Sequence, residues 1–282
     1  MNESTLGVQI HVYFRKMFRI NMREKSWKYL IFALIISLLV AMIVGPDMFG
    51  NFESTNSGFF TLASACIWIG IFNSIQSVCK EHEIIRAEYR QGMKIAAYVS
   101  AHALWQALLC LAQTIIIFIV CCIFMKFDKS AHLLLGAYVE NFVTIYLLTF
   151  GASILGLMIS SVSGNPTTAM TIMPFVLIIQ LVMSGVLFSL SGFSKFISYF
   201  TLSRWGMSAF GCEADLNSIP TGTQMLYPGA SNPMTSEFYN HEVIRLFAAW
   251  FAIIGITFFL VNMIVDLIVA ALDPRMRIGG RK

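Results

Sequence analysis

Long apolar segments are the feature that most constrains the fold of this chain. A helix needs about 20 apolar residues to cross the hydrocarbon layer of a bilayer, and six segments approach or exceed that length. Only 12% of the 282 residues are charged, whereas soluble globular domains contain roughly 25%. These observations predict an all-α integral membrane protein with six transmembrane helices. The predicted spans are Tyr29–Val44, Gly58–Val78, Tyr98–Met125, Leu133–Ile159, Ala169–Leu190 and Val243–Ala270.

The positions of the basic residues predict how these spans are oriented. Cytoplasmic segments next to transmembrane helices carry an excess of Lys and Arg. Here that excess lies before the first span, between the second and third spans, and after the sixth. We therefore expect a multi-pass protein of the plasma membrane with both termini cytoplasmic and no cleavable signal peptide. The basic residues concerned are Arg15, Lys16, Arg19, Arg23, Lys25, Lys28, Lys80, Arg86, Arg90, Lys94, Arg275, Arg277, Arg281 and Lys282.

The segment before the first span, residues 1–28, has a helical pattern of its own. Apolar residues recur with helical spacing on one face, while Arg15, Arg19 and Arg23 follow one another at i, i+4 on a different face. We expect an amphipathic helix in the inner headgroup layer, followed by a membrane domain over residues 29–282. The alternative is a basic anchor that only orients the first span. The apolar face comprises Ile10, Tyr13, Phe14, Met17 and Phe18.

The most charged run of the chain, "KEHEIIRAEYRQGMKIAAY", lies between the second and third predicted spans. If it continues the second span as a helix, Glu83 and Arg86 pair at i, i+3, and Ile85 and Tyr89 are neighbours at i, i+4. Gly92 then favours a turn back toward the membrane. A surface that fits a soluble partner needs apolar residues among its charges, whereas a solvated positive-inside loop does not. The pattern therefore favours a charged hairpin that docks on a partner.

The same run resembles the first cytoplasmic connection of ABC-2 type transporter permeases, especially their ABCG-like (type V exporter) branch. In "KEHEIIRAEYRQGMKIAAYVSAHAL" the acidic, basic and glycine positions of that pattern precede an aromatic residue that opens the third span. A second stretch, "FISYFTLSRWGMSAF", is similar to the outer re-entrant helices of the family, with Leu202 where the family's turn has proline. The matching residues of the first stretch are Glu81, Arg86, Glu88, Gly92 and Tyr98.

The resemblance implies a coupling hairpin over residues 80–97 and an outer re-entrant region over residues 191–241. It further implies that two permease subunits pair, as a homodimer or heterodimer, and that a separate ABC nucleotide-binding subunit docks beneath each. The chain has no G-x-x-x-x-G-K-[ST] loop to cradle ATP phosphates. We therefore expect a transport subunit rather than an enzyme, without a cofactor of its own, because ATP and Mg belong to the partner ATPase. The coupling residues so implied are Glu81, Ile84, Ile85, Arg86, Glu88, Tyr89 and Gly92.

Polar residues inside the predicted spans mark a candidate translocation path. Burying a polar side chain in lipid costs free energy unless the group is paired or hydrated. In the family that the chain resembles, spans two and five line the path between the paired subunits. The alternative for each residue is a hydrogen bond between helices without substrate contact, worth about 1 kcal/mol or less. The candidates are Trp68, Phe72, Asn73, Gln76, Met173, Leu177, Gln180 and Ser184.

The remaining motifs leave two classes of function open. The histidines and cysteines are too scattered to predict a metal site, and no feature predicts a nucleic-acid partner. Cys212 lies in the outer region, where we expect a free thiol, with an intersubunit disulfide as the alternative. The favoured function is ATP-driven export of a lipid-like, peptide or hydrophobic small molecule. The alternative is a membrane protein without an ATPase, such as a channel, a secondary carrier or an immunity-type scaffold.

Overall fold

The computed structural model describes residues 5–23, 27–45, 48–125, 133, 136–188, 190–227 and 235–272. Lys25 and the basic tail from Arg275 to Lys282, which supported the predicted orientation, lie outside these ranges. All the regular elements of the described residues are helices, joined by turns and short 3-10 segments. The α-helices are α1 (Leu6–Arg23), α2 (Trp27–Val44), α3 (Phe52–Ser74), α4 (His82–Arg90), α5 (Ile95–Phe124), α6 (Ala137–Val162), α7 (Pro166–Val182), α8 (Gly192–Ser198), α9 (Leu202–Glu213), α10 (Gly222–Leu226) and α11 (Val243–Leu272).

Five helices of the described chain are long and apolar enough to cross a membrane. They are α2, α3 with its continuation toward α4, α5, α6 and α11. The all-helical membrane fold predicted from the sequence is therefore confirmed. The fifth predicted span corresponds to α7, an apolar helix of 17 residues that contains Pro174. At 1.5 Å per residue α7 is about 25 Å long, and its role as a sixth span stays a prediction.

Two predicted helix ends were wrong, each because of a local turn signal. The second predicted span began at Gly58, but α3 begins at Phe52, since the Asn51 side chain caps it by accepting the Ser54 N–H at 2.7 Å. The fifth predicted span continued to Leu190, but α7 ends at Val182. The chain turns there at Gly185, whose φ of +81° suits glycine alone. The other ends agree with the predictions to about one helical turn.

The centre of the bundle is the contact between α3 and α6, whose backbones touch. A Cβ atom at Gly70 would lie 2.3 Å from the carbonyl oxygen of Thr149, and one at Gly156 would lie 2.7 Å from that of Ile71. Ser74 Oγ donates a hydrogen bond to the carbonyl oxygen of Ser153 at 2.5 Å. Small residues permit this close approach, which replaces the hydrophobic effect as the source of helix association in lipid.

Two further helices pack around this pair. On α2 the buried residues Ala33, Ser37 and Ala41 repeat at every fourth position and form a narrow stripe of small side chains. The rest of α2 exposes large apolar side chains, as expected of a helix that faces lipid. On α11 the buried Trp250 donates through Nε1 to Thr144 Oγ1 of α6 at 2.7 Å. Both helices therefore present one narrow side to protein and a broad apolar side outward.

The two ends of the bundle carry different elements. At one end, called here the α4 end, Ile268 of α11 lines the same small cavity as His82 and Ile85 of α4. At the opposite end, called here the α9 end, Phe52 at the start of α3 packs with the buried Leu216 from the turn that follows α9. Helix α1 lies at the α4 end, and α8 and α9 lie at the α9 end, so the two regions predicted to be functional are separated by the length of the bundle.

Candidate coupling site and translocation path

The amphipathic helix α1 packs against the start of α5. The rings of Tyr13 and Tyr98 meet edge to face with centroids 6.3 Å apart, and those of Phe18 and Trp105 meet in the same way at 5.8 Å. Met17, in the middle of the same face, is 4% exposed. The segment is helical over Leu6–Arg23 and its apolar face contacts protein, while its position in the inner headgroup layer stays a prediction. The exposed face carries Arg15, Arg19 and Arg23.

Three polar contacts attach α1 to the charged hairpin. Lys16 Nζ lies 2.5 Å from Glu88 Oε1. The side chain of Gln9 donates to the carbonyl oxygen of Gly92 at 3.4 Å and accepts the N–H of Lys94 at 3.0 Å. Gly92 has a φ of +98°, a left-handed conformation that favours glycine, and it reverses the chain between α4 and α5 as predicted. Helix α1 therefore holds the turn at Gly92 through the side chain of Gln9, which is not part of the hairpin.

The hairpin is also attached to α5 through Glu81. Tyr98 Oη donates to Glu81 Oε2 at 2.7 Å, and His102 Nε2 lies 3.6 Å from the same oxygen. His102 is 3% exposed and Tyr98 is 2% exposed, so this carboxylate sits at the boundary between the buried interior and the cavity described below. Hydrogen bonds made by a partly buried carboxylate are stronger than those in water, because fewer water molecules compete for them. Glu81 therefore positions the start of α4 on the membrane domain.

A single hydroxyl attaches the junction between α3 and α4 to α6. Ser160 Oγ accepts the backbone N–H groups of both Val78 and Cys79, each at 3.0 Å. The helix is interrupted at this junction, so these two N–H groups lack partners of the ordinary helical ladder. Ser160 is 0% exposed and supplies the missing acceptor. Helix α4 is in this way fixed to α1, α5 and α6, three parts of the same bundle.

Two of the predicted coupling residues point into the permease rather than outward. Ile85 is 2% exposed and belongs to the hydrophobic core, and Glu88 is paired with α1. The prediction that Ile85 contacts a soluble partner is therefore wrong, because the helix turns this side chain toward the membrane domain. Ile84 and Tyr89 remain on the surface, 47% and 39% exposed. Arg86 pairs with Glu83 on the exposed face of α4, as the i, i+3 spacing predicted.

The eight residues of the predicted translocation path fall into three groups in the single chain. Trp68 is 47% exposed on α3, and Phe72 and Gln76 are half-buried. The others are buried in the single chain, although Asn73 and Ser184 each line a cavity. The buried members are Asn73, Met173, Leu177, Gln180 and Ser184.

The buried polar members of the path make hydrogen bonds between or within helices. Asn73 and Gln113 exchange two side-chain hydrogen bonds, of 2.6 and 3.0 Å, which join α3 to α5. Gln180 accepts the N–H of Ser203 at 3.2 Å and joins α7 to α9. Ser184 donates to the carbonyl oxygen of Leu181 at 2.7 Å. For Asn73 and Gln180 the geometry is that of the alternative stated above, a hydrogen bond between helices, whereas the Ser184 bond lies at the end of its own helix.

A cavity of about 420 Å³ lies at the α4 end between α1, α3 and α5. Its wall includes Phe72, Asn73 and Gln76 from the predicted path together with Glu81 and Ile84 from the predicted coupling hairpin. Sequence reasoning placed these residues in two separate sites. The structure brings them to one cavity, because the break after α3 turns the hairpin back under the bundle.

The outer region contains the two short helices α8 and α9. Leu202 stands where the family pattern that this stretch resembles has proline. It is the first residue of α9, a position where proline is favoured but not required. The turn before it is closed by Trp205, whose Nε1 donates to the carbonyl oxygen of Tyr199 at 2.8 Å. Ten of the twelve residues of α9 are buried against the bundle. The predicted pair of short helices is present, and their depth in a membrane stays a prediction.

A buried carboxyl group lies at the end of α9. Glu213 is 1% exposed, and its Oε1 accepts a hydrogen bond from Thr144 of α6. Burial raises the pKa of Glu213 well above its usual range, and the nearby Glu140 raises it further, although the Thr144 hydrogen bond opposes the shift. This shift favours the protonated, neutral form of Glu213.

Cys212 precedes this carboxyl and is enclosed by the same chain. It is free and 0% exposed, with Sγ 3.0 Å from the carbonyl oxygen of Asn240 and 3.4 Å from that of Glu242. The thiol thus faces the backbone of the same chain ahead of α11. This burial supports the free thiol that was expected, and the alternative, an intersubunit disulfide, stays a hypothesis.

Several residues that build the site were missed by sequence reasoning. Gln9, Lys16 and Ser160 hold the hairpin, and Gln113 satisfies Asn73. Three of these four are uncharged polar residues in or beside apolar segments, and such residues are uncommon enough at those positions to have been noticed. Their partners lie 40 to 85 residues away along the chain, so no local pattern identifies them.

Comparison with known proteins identifies the family of the chain. The family model for the ABC-2 type transporter matches residues 8–211, more than half of the chain. The chain is also similar to an ABC transporter ATP-binding/permease protein of Mycobacterium tuberculosis strain H37Rv, with 23% identity over 177 residues. That match covers 62% of this chain and 20% of the relative, so the chain spans one fifth of that protein's length. The family match and the helical membrane fold show that this chain belongs to the ABC-2 type transporter family, as a membrane permease component.

Proposed function

We propose that the chain is the permease subunit of an ATP-driven exporter of the ABCG-like branch, and that α4 transmits movement from a separate ATP-binding subunit. The observation that carries this proposal is the attachment of α4. It is fixed to α1 by Lys16 and Glu88 and to α5 by Glu81 and Tyr98, yet it leaves Ile84 and Tyr89 exposed. A solvated loop needs no such attachment, whereas a lever that receives force needs both a rigid base and a free contact surface.

The proposed arrangement has six spans, of which α7 is the shortest, and both termini in the cytoplasm. The N-terminal helix and the end of α11 lie at the α4 end, together with Lys80, Arg90 and Lys94. The excess of basic residues at that end supports its assignment to the cytoplasmic side. Helices α8 and α9 then lie in the outer leaflet as re-entrant helices, where backbone groups must be covered by protein.

The ATP-binding subunit is proposed as a separate polypeptide that binds Mg and ATP. The 282 residues contain no phosphate-binding G-x-x-x-x-G-K-[ST] loop. The mycobacterial relative is named as an ATP-binding/permease protein, and this chain matches one fifth of it. A second permease, identical or homologous, completes the proposed transporter.

The proposed translocation path is narrower than the eight residues selected from the sequence. Trp68 reaches the surface of α3, and below it Phe72 and Gln76 lead to the 420 Å³ cavity at the α4 end. The wall of this cavity combines aromatic and aliphatic side chains with polar and charged ones such as Lys80 and Glu81. Its apolar part supports a lipid-like, peptide or hydrophobic small molecule as the cargo.

The proposal is tested by reconstitution into proteoliposomes. We expect the purified chain alone to hydrolyse no ATP, and to support hydrolysis and transport when an ATP-binding subunit from the same genome is added. Replacing the phosphate-loop lysine of that subunit should abolish both activities. Hydrolysis by the isolated chain, or substrate movement that does not require the added subunit, would contradict the proposal and favour an ATPase-independent membrane protein.

The docking surface is tested by separating exposed from buried residues of α4. Interface energy concentrates in a few aromatic and apolar residues, so the Ile84→Ala, Tyr89→Ala double variant should weaken retention of the ATP-binding subunit by about 1–3 kcal/mol. Membrane insertion should be unchanged, since both side chains are exposed. The matched control is Ala87→Ser, on the same exposed side of α4. Equal retention by the double variant and the control would show that this surface does not dock.

The orientation is tested by labelling intact cells with an impermeant maleimide. Ser218 at the α9 end and Ala87 on α4 are both exposed positions. We expect Ser218→Cys to be labelled in intact cells and Ala87→Cys only after the membrane is opened. Labelling of both positions from the same side would overturn the proposed topology.

A further inference from the structure

A second cavity, of about 500 Å³, lies at the α9 end between the start of α3, the turn after α7, and α9. It is separate from the 420 Å³ cavity and shares no lining residue with it. Its wall contains two cationic side chains, Lys195 and Arg204, and the described residues of the wall include no Asp or Glu. A cavity with two cations and no carboxylate has a positive potential, which low-dielectric walls concentrate.

The guanidinium of Arg204 is held in place without an acidic partner among the residues that the structure describes. It lies over the ring of Phe238, 4.3 Å from the centroid, and over that of Tyr199 at 5.1 Å. Its Nη1 packs against Gly185, where an added Cβ would lie 3.2 Å away. Its Nε is buried and makes no hydrogen bond to any residue that the structure describes. The rings of Phe238 and Tyr199 and the backbone at Gly185 therefore fix the orientation of the Arg204 guanidinium, whose Nε has no hydrogen-bond acceptor among the described residues.

The rest of the wall suits a ligand with both a polar and an apolar part. Asn56 has a buried side-chain oxygen without a hydrogen-bond partner among the described residues. Leu187 and Phe188 extend the wall outward and are 52% and 60% exposed. In a membrane protein such exposed apolar side chains are continuous with the lipid phase. The cavity therefore has a cationic base and an apolar opening, which suits an amphipathic ligand.

We propose that this cavity binds an amphiphile with an anionic headgroup, a phosphate or a carboxylate, which Arg204 and Lys195 contact while the apolar chain follows Leu187 and Phe188. Arg recognises such groups through two parallel N–H donors, and charge-assisted hydrogen bonds are stronger than neutral ones. The inference goes beyond the proposed export function, because binding is a property of the chain alone and requires no ATP-binding subunit.

The test uses dodecyl phosphate, with the full chain purified in the neutral detergent dodecyl maltoside. Binding is measured by native mass spectrometry and by the shift in thermal unfolding temperature. We expect saturable binding of dodecyl phosphate and much weaker binding of inorganic phosphate, which lacks the chain. Arg204→Gln should weaken the binding of dodecyl phosphate about tenfold or more, because it removes a hydrogen-bonded charge. Equal affinity in the wild type and in Arg204→Gln would overturn the proposal.

Two further variants separate a lost site from a lost fold. Lys195 is exposed, so Lys195→Gln leaves packing unchanged and should weaken binding several-fold. Arg245→Gln removes a cation that lies 3.8 Å from Glu242 and outside the cavity wall, and it should leave binding unchanged. If Arg245→Gln and Lys195→Gln weaken binding equally, the effect is one of net charge and the proposal fails.

The same measurement distinguishes two sources of the ligand. A membrane phospholipid that co-purifies with the wild type and is absent from Arg204→Gln identifies a resident lipid. A wild-type chain that purifies without lipid but binds added dodecyl phosphate identifies an exchangeable ligand. Both results support the site, whereas binding of neither ligand by the wild type refutes it.

Discussion

Lys16 on the N-terminal helix and Glu88 on α4 meet at 2.5 Å across a separation of 72 residues. Both side chains are partly exposed, at 34% and 26%. Ion pairs of this exposure contribute roughly 0.2–1 kcal/mol to stability, so the pair adds little to the fold. Its position matters more, because it joins the helix that lies along the membrane domain to the proposed lever. Burial, together with the charge of Glu88, also raises the pKa of the adjacent Tyr13 to about 12, so the phenol stays neutral.

The first prediction concerns this link. Lys16→Glu and Glu88→Lys should each reduce transport several-fold with an unfolding temperature close to that of the wild type, because the link transmits movement and stabilises little. The charge-swapped double variant should recover most of the transport, and the double-mutant cycle measures the coupling. The matched control is the Glu242 and Arg245 pair, an i, i+3 pair at the start of α11 and away from the hairpin. If swapping the control pair impairs transport as strongly, α1 has no special role.

A second prediction concerns the contact between α3 and α6. Gly70→Ala places a methyl group 2.3 Å from a backbone oxygen of α6, which cannot move aside as a side chain can. Overpacking of this kind costs about 1–3 kcal/mol, so the unfolding temperature in detergent should fall. Gly255→Ala on α11 is the control, since a Cβ there meets nothing within 4 Å. An unchanged unfolding temperature in Gly70→Ala would show that the helices separate easily.

The third prediction is a pH dependence of stability caused by Glu213. Its folded pKa is raised, so the folded state binds the proton more tightly than the unfolded state. The stability contribution is complete below the unfolded value of about 4.5 and is lost as pH rises toward the folded pKa, by at most about 1.4 kcal/mol per pH unit. Thermal unfolding between pH 5 and 8 should therefore show a smaller loss of stability in Glu213→Gln than in the wild type.

The control for this pH dependence is Glu242→Gln, at an exposed carboxylate that pairs with Arg245. It should leave the slope of stability against pH unchanged. A wild-type slope that Glu213→Gln does not alter would mean that Glu213 is ionised in the folded protein.

The fourth prediction concerns Cys212. Burial raises its pKa to about 11, so only about 0.1% of the thiol is ionised at pH 8. Because the thiolate is the reactive species, maleimide should label Cys212 slowly in the folded protein and rapidly after unfolding, as measured by peptide mass spectrometry. No disulfide-linked dimer should appear on non-reducing gels. A dimer that Cys212→Ser abolishes would support the disulfide alternative.

Local spacing predicted the parts of this structure that depend on neighbours in sequence. The apolar face around Met17, the turn at Gly92 and the Glu83–Arg86 pair all follow from helical periodicity or backbone preference. These features can be predicted without knowing where another helix lies.

The lateral position of each helix was not predictable in the same way. In lipid both the buried and the lipid-facing sides of a helix are apolar, so the pattern does not show which side faces protein. Ile84 and Ile85 are adjacent and chemically alike, yet one is 47% exposed and the other 2%. Only the packed structure distinguishes them. For the same reason Asn73 was assigned to the translocation path, although Gln113 of α5 satisfies it.

The close contact between α3 and α6 also determines the order of events during synthesis. Ser74 finds its acceptor on Ser153, 79 residues later in the chain, and Asn73 finds Gln113 after 40 residues. At about 5–20 residues per second a ribosome takes roughly 4–16 seconds to supply Ser153. During that interval α3 enters the bilayer with a glycine groove and a hydroxyl that have no partner. Until α6 emerges, the Gly70 and Ser74 face of α3 therefore lacks the surface against which it packs in the folded protein.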